Sequence, residues 1–313
     1  METVKIGELI GQLRRKQNIT LQQLSRGICS IATLGRIEES DGKMTYIMAG
    51  AFFERLGYTL DKFECYVSQK ELDEYNLRNE IRNAKEHRRL AEMKLALEKY
   101  AKQTAKKEAG LERQFLDSMN AFLLFEEGNY DKAEQLLRKA IELSVPTWEE
   151  KWEQQILLGY TEIEMLVLLS DIYDKEEGQK QAEAEALQWK ILGYLEERKE
   201  HRENIAKAYA EVSCRLIAKL IEKQEYARAL YLSEKAITVI GKVSRMYHWV
   251  ELLCLRGKCL EELSKDGKVN SQQARNAYQE AYYIALLYET EKEELAQKLK
   301  KHLEEEYQWE SIK

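Results

Sequence analysis

The sequence predicts an all-α protein, and its composition carries most of that prediction. Among 313 residues there is one proline, Pro146, and there are only 15 glycines, whereas a sheet-rich chain of this length needs many turn residues. Charged residues make up 33% of the chain. Apolar residues recur at three- and four-residue spacing between the turn signals, which is the helical period. We therefore expect helices joined by short loops, and the length indicates two domains.

Residues 1–66 are predicted to form a five-helix domain. In the first helix, residues 6–17, the side chains of Ile6, Leu9, Ile10 and Leu13 share one face. Two shorter helices follow at 21–26 and 31–39, a fourth at 46–56, where Gly57 is placed as a C-cap, and a fifth at 60–67. The small core is expected to be built from Leu21, Leu24, Ile28, Leu34 and Ile37.

The second and third helices have the spacing of a helix-turn-helix. A tight break at residues 26–29 separates them, and Thr20 and Ser30 stand where a hydroxyl caps a helix by accepting from a backbone N–H. In such a motif the second helix enters the major groove of DNA. The first 65 residues are nearly neutral, and the net charge of −6 comes from the rest of the chain. This balance favours specific, dimer-assisted DNA binding over a non-specific coat.

A family resemblance rests on the residues of this motif. The pattern of Thr20, Leu24, Ser30, Thr33, Arg36, Ile37 and Glu38 resembles the phage-repressor-like (XRE) helix-turn-helix family. The runs GICSIATLGRIE (27–38) and ERLGYTLDKFE (54–64) are similar to the head of the Rgg/PlcR (RRNPP) group of peptide-sensing transcription regulators. Leu21 departs from the family, which often has Gln there, and Glu38-Glu39-Ser40 replaces its Glu-Asn-Gly.

The candidate DNA contacts divide into base-reading and backbone-binding residues. The start of the third helix is small or apolar, so that it can approach base edges and thymine methyl groups: Ser30, Ile31, Ala32 and Thr33. Arg36, one turn later, can reach a phosphate or a guanine. The expected backbone contacts are Arg14, Thr20, Gln22, Gln23 and Lys43. Glu38 is acidic, and we expect it to pair with an arginine inside the head.

Residues 67–112 are predicted to be a helical junction and first hairpin, with helices at 71–84 and 88–108, and residues 113–290 a repeat domain. The stretch 121–144 looks like a tetratricopeptide repeat, because small Ala121, Ala133 and Ala140 let two helices touch and Gly128 makes the turn. Weaker copies place matching alanines at Ala182, Ala229 and Ala274, a spacing longer than the ~34 residues of the standard repeat. We expect about five elongated helix pairs stacked into an α-solenoid with a concave face, capped by a helix within 291–313.

The first helices of these repeats supply candidate ligand contacts. The registers place these residues on the concave side: Ser118, Asn120, Phe122, Glu164, Asp171, Asn204, Glu211, Cys214 and Glu251. A concave helical surface binds extended peptides or proteins. The resemblance to the Rgg/PlcR group implies a short signalling peptide as the ligand.

Several other function classes find no support in the sequence. The four histidines lie outside metal-ligand spacing of one another, and there is neither a glycine-rich phosphate loop nor a nucleophile motif, so we expect no enzyme activity, metal or cofactor. The five cysteines are scattered, as expected for reduced thiols in a cytoplasmic protein, and no apolar run is long enough to cross a bilayer.

Together these patterns predict a cytoplasmic, homodimeric transcription regulator. Its repeats would bind a short peptide and thereby control how two recognition helices are placed on DNA. Two alternatives remain open at this stage. One is a helical-repeat scaffold that binds a partner protein, and the other is a phage-type repressor that responds to no ligand.

Overall fold

The computed structural model describes residues 5–39, 42–58, 69–105, 110–146, 148–149, 157–176, 178–198, 203–243, 246, 248–267, 269–288 and 292–309. Within these ranges the protein is all-helical, with fifteen α-helices and no strand. In the same ranges no helix is long and apolar enough to cross a membrane. The chain divides into two compact units, Met1–Leu187 and Gln188–Lys313, which we describe separately.

The helix-turn-helix head begins the first unit with four described helices. They are α1 (Ile6–Lys16), α2 (Leu21–Ser25), α3 (Ile31–Glu38) and α4 (Tyr46–Arg55). The predicted caps are present: the Thr20 side chain accepts from the N–H of Gln23, and the Ser30 side chain from that of Thr33. The predicted core is confirmed, with Leu24, Leu34 and Ile37 at most 2% exposed and Leu21 and Ile28 packed against them. The predicted fifth helix, at 60–67, lies outside the described residues.

Helix pairs make up the rest of the first unit. They are α5 (Gln69–Glu86), α6 (Leu90–Thr104), α7 (Leu111–Glu126), α8 (Tyr130–Ser144) and α9 (Tyr160–Tyr173). Helices α5 and α6 pack together, as do α7 and α8, and α8 packs on α9. The alanines that were predicted to let α7 and α8 touch, Ala121, Ala133 and Ala140, are all fully buried. The division between the units falls within α10 (Gln179–Glu197).

The described part of the second unit contains five helices after α10. They are α11 (Glu203–Glu222), α12 (Tyr226–Gly241), α13 (Trp249–Lys265), α14 (Ser271–Leu286) and α15 (Glu293–Tyr307). Each packs on the next, and α11 also packs on α13. Leu299 and Leu303 of α15 are buried against Tyr278 and Tyr282 of α14. That this helix caps the repeats stays a prediction.

One repeat register was wrong by two residues. The sequence placed the matching small residue at Ala182, but Ala182 is exposed and Ala184 is the alanine that is fully buried. Three alanines, Ala182, Ala184 and Ala186, alternate with glutamates in this helix, so the sequence pattern alone left the register ambiguous. Ala229 and Ala274 are fully buried, as predicted. The domain boundaries proposed at residues 66, 112 and 290 stay predictions.

Candidate DNA-reading surface and its attachment to the repeats

The start of α3 presents a small, weakly polar surface. Ser30, Ile31 and Ala32 are exposed, whereas Leu34 on the other side of the helix is fully buried in the head. The Ser30 Oγ accepts from the Thr33 N–H at 3.1 Å and lies 2.7 Å from the Thr33 Oγ1, so both hydroxyls already have a partner. Capping therefore fixes where the helix begins, and the outer face of its first turn is left uncovered.

The predicted charged and amide contacts have different environments. Arg36, Gln22 and Lys43 are exposed and accessible to a ligand. Gln23 is partly buried, and its Oε1 accepts from the Thr20 N–H at 2.8 Å, which completes a capping box with Thr20. This pair holds the start of α2 rigidly. Thr20 is exposed at the surface and remains accessible to a ligand.

Arg14 is used inside the head. Its Nε and Nη2 donate to the two carboxylate oxygens of Glu38 at 2.6 and 2.7 Å, and its Nη1 donates to the Ile19 carbonyl. The Arg14 side chain is only 12% exposed. The hydrogen bond from Arg14 to Glu38 raises the pKa of Arg14 against the effect of burial. The pairing expected for Glu38 is thus present, and it removes Arg14 from the set of available backbone contacts.

A buried arginine joins the head to the repeats. Arg55, at the end of α4, is 1% exposed, and its Nη2 donates to the Glu162 Oε1 of α9 at 3.0 Å. The other nitrogen, Nη1, donates to the Leu24 carbonyl of α2 at 3.1 Å. The second carboxylate oxygen of Glu162 accepts from the Gly159 N–H at the start of α9. One side chain therefore ties α4 to the end of α2 and to the first turn of α9.

Two further contacts surround this ion pair. The Glu54 Oε2 accepts from the Thr161 N–H at 3.1 Å, and burial raises the pKa of Glu54 against the opposing charge of Arg82. Gly27, in the turn between α2 and α3, has a φ of +72° and lies so close to Ser144 that an added Cβ would stand 2.1 Å from the Ser144 carbonyl oxygen. The helix-turn-helix turn thus rests on the end of α8.

The sequence did not predict this contact between the head and the repeats. Arg55 was overlooked because it stands beside buried Phe52, Phe53 and Leu56, where one charged residue is ordinarily placed on the solvent side. Its partner is far away in sequence and is one of many glutamates. The only available signal was the position of Arg55 within an apolar stretch of α4.

The candidate peptide residues of the first unit fall into two kinds. Ser118 is buried and its hydroxyl donates to the Phe115 carbonyl, and the Asn120 amide donates to the Leu116 carbonyl, so both serve their own helix. Phe122 and Glu164 meet at Lys85, whose Nζ lies 5.3 Å from the ring centroid and 3.6 Å from the Glu164 Oε1. Asp171 is partly buried on α9.

In the second unit the predicted residues share one charged environment. The charges of Glu251 and Glu211 both act on the Cys214 thiol, whose pKa burial raises to about 12. They also act on His248, whose pKa burial lowers. Burial opposes ionisation of Glu251, but the hydrogen bond from Lys292, a backbone hydrogen bond and nearby positive charge together lower its pKa. Asn204 is partly buried at the start of α11. The neighbours that the sequence missed are His248 and Lys292.

Over the described ranges of the chain, no group of three or more histidine, cysteine, aspartate or glutamate side chains is arranged to hold a metal ion. Four of the cysteines are described, and each is a free thiol. The arrangement offers hydrogen bonds, charges and apolar contacts for binding a macromolecule or a peptide.

Comparison with solved structures shows which proteins share this fold. The chain shares an all-helical fold with PlcR of Bacillus thuringiensis in complex with the peptide PapR7 and DNA, at 18% identity and a TM-score of 0.57, over 95% of this chain and 99% of that one. The apo form of PlcR matches at 19% identity and a TM-score of 0.54, over 93% and 98% of the two chains. ComR of Streptococcus vestibularis is more distant, at 15% identity and a TM-score of 0.48. No family model and no curated protein sequence matches the chain.

Proposed function

We propose that this protein is a DNA-binding transcription regulator whose helical repeats bind a short peptide. The observation that supports DNA binding is the exposed start of α3, set on a helix-turn-helix core with both predicted caps in place. PlcR, whose fold the chain shares from end to end, has been captured with both a peptide and DNA. As in the sequence-based interpretation, the head spans residues 1–66, and the protein acts in the cytoplasm.

The protein acts as a homodimer in this proposal. The reading surface has one exposed cation, Arg36, and an otherwise uncharged start of α3, so a single head holds DNA weakly. Two heads on half-sites one helical turn apart would supply the missing affinity and specificity. A ligand that favours one arrangement of the dimer then changes DNA affinity by its differential affinity for the two arrangements.

The peptide is proposed to contact the charged groups of the second unit, around Glu211, Cys214 and Glu251; those around Phe122 and Glu164 in the first unit are a separate candidate. The site in the second unit places carboxylates beside the partly buried Cys214 thiol, and Lys292 adds a positive charge at Glu251. Such a mixture suits a short peptide with both charged ends and apolar side chains.

Selection of binding sites from random duplex DNA tests the proposal. We expect the full-length protein to enrich a sequence with two-fold symmetry, and Arg36→Ala and Thr33→Ala to weaken binding to it by about tenfold or more. Lys298→Ala, an exposed change in α15, is the matched control. Enrichment of no sequence, or wild-type binding by both head variants, would overturn the DNA-binding role.

A second measurement addresses the ligand. Calorimetry with short peptides should give binding that Glu251→Gln weakens and that shifts the affinity for the selected DNA. If peptides bind nothing while a large protein co-purifies, the scaffold alternative is favoured. If DNA binding is strong and no peptide alters it, the chain is a ligand-independent repressor of the phage type.

A further inference from the structure

We infer that Ile31 is a specificity-determining residue that reads the methyl group of a thymine in each half-site. The inference rests on the proposed DNA-binding function and names the base chemistry that the head recognises. Ile31 is the first residue of α3 and is 49% exposed. In the described part of the head it is the large apolar residue that the core leaves outside, while Leu34 and Ile37 of the same helix are at most 2% exposed.

Local stability gives no reason for an isoleucine at this position. A β-branched residue is a poorer helix former than alanine, and the exposed side chain contributes no core packing. The helix start is already secured by Ser30, which accepts from the Thr33 N–H. We therefore assign the exposed side chain of Ile31 to a contact between the head and another molecule.

The surroundings of Ile31 favour DNA as that molecule. The hydroxyls of Ser30 and Thr33 are engaged with each other at 2.7 Å, and Ala32 adds only a methyl group. No acidic side chain lies between residues 30 and 37, and the N-terminal end of the helix carries the positive end of its dipole. The charge of this face complements the phosphate backbone, whereas its apolar tip complements the thymine methyl, the apolar group that the major groove displays.

The chemistry predicts a thymine rather than another base. Cytosine, guanine and adenine present only donors and acceptors in the major groove, and an isoleucine side chain placed against them leaves those groups without partners. Burying one methyl group between Ile31 and the base corresponds to about a fourfold change in affinity for each half-site.

The experiment uses the DNA sequence that the full-length protein selects. Each thymine of a half-site is replaced in turn by deoxyuridine, which lacks only the methyl group. At one position we expect about fourfold weaker binding. Replacing that pair with C·G should cost more, and 5-methylcytosine should restore part of the loss. In the Ile31→Ala protein, deoxyuridine at the same position should have no further effect, since the methyl has lost its partner.

Two controls keep the result specific. Leu95→Ala removes another exposed apolar side chain, from α6, and it should leave both the affinity and the deoxyuridine effect at wild-type values. Circular dichroism checks that Ile31→Ala retains its helices. If deoxyuridine changes the affinity less than about twofold at every position, or by equal factors in wild type and Ile31→Ala, the inference is wrong while DNA binding stands. If no sequence is selected at all, the proposed function fails together with it.

Discussion

Arg55 and Glu162 form a buried ion pair, with 3.0 Å between nitrogen and oxygen, that joins the last turn of α4 in the helix-turn-helix head to the first turn of α9. Their side chains are 1% and 5% exposed. Arg55 also donates to backbone carbonyls of the head, and Glu162 accepts from the Gly159 N–H, so each charge has several partners. Within the first unit, the orientation of the head is therefore coupled to that of the repeats by a contact that excludes water.

Removing one partner of this pair should destabilise the first unit strongly. Arg55→Met leaves the Glu162 carboxylate buried without its counter-charge, and a loss of about 3–5 kcal/mol in the free energy of unfolding is expected. Lys298→Met, which removes an exposed partner of Glu294, should leave the free energy of unfolding close to the wild-type value. Urea unfolding followed by circular dichroism measures both. Equal stability of the two variants would show that the buried pair is not a structural tie.

The close approach of the helix-turn-helix turn to α8 gives a second test. Gly27→Ala adds a Cβ where the Ser144 carbonyl stands, in a backbone conformation that costs an alanine about 1–2 kcal/mol by itself. Gly128→Ala is the matched control, because Gly128 also has a positive φ, +78°, but open space around its Cα. Gly27→Ala should lower the thermal midpoint further than Gly128→Ala. Similar midpoints would mean that the turn does not rest on α8.

Arg36 should contribute to the salt dependence of DNA binding. If it neutralises a phosphate, Arg36→Ala lowers the slope of log affinity against log salt by about 0.9 for each bound head. Binding titrations across a series of salt concentrations measure the slope, with Lys298→Ala as the control. An unchanged slope accompanied by altered base preference at one position would instead assign Arg36 to a guanine.

The ion pair between Glu251 and Lys292 should make stability depend on pH. The folded-state pKa of Glu251 is lowered, so the pair contributes its stability above the unfolded pKa of about 4.3 and loses it as the pH falls through the folded value. Glu251→Gln should therefore narrow the difference between the thermal midpoints at pH 6 and at pH 3. An unaltered difference would show that Glu251 gains nothing from Lys292.

The partly buried thiols of Cys214 and Cys254 should be largely unreactive in the native protein. Burial raises the pKa of Cys214 and Cys254 to about 12, so that almost no thiolate is present at pH 8. Mass spectrometry after iodoacetamide treatment should find both unmodified in native protein and modified in denaturant. Rapid native labelling of Cys214 would contradict the raised pKa of its thiol.

The sequence predicted the head more completely than the attachment of the head. Capping and three- to four-residue periodicity are local, which is why the starts of α2 and α3 and the burial of Leu24 and Ile37 followed from the sequence. The Arg55–Glu162 pair depends on elements that only folding brings together. The same limit applies to Arg14. Its position in the sequence suggests a contact with a phosphate, but in the fold its guanidinium pairs with Glu38, 24 residues away.

The repeats show where local patterns become ambiguous. Small residues marked the α7–α8 contact correctly, because Ala121, Ala133 and Ala140 stand in a clear register. In α10, Ala182, Ala184 and Ala186 offered three registers, and Ala184 is the one that the fold buries. Glu211 and Glu251 also act on His248, which lies just before α13 in a left-handed backbone conformation, and no periodicity places such a residue.

Hydroxyl-radical footprinting of the full-length protein on its selected DNA tests the central claim most directly. If two copies of α3 read successive half-sites, the protein protects two patches on one face of the duplex, centred about one helical turn apart or a multiple of it. The Arg36→Ala protein should lose both patches at the same concentration. A single patch, protection that follows no sequence, or an identical footprint from Arg36→Ala would contradict the account.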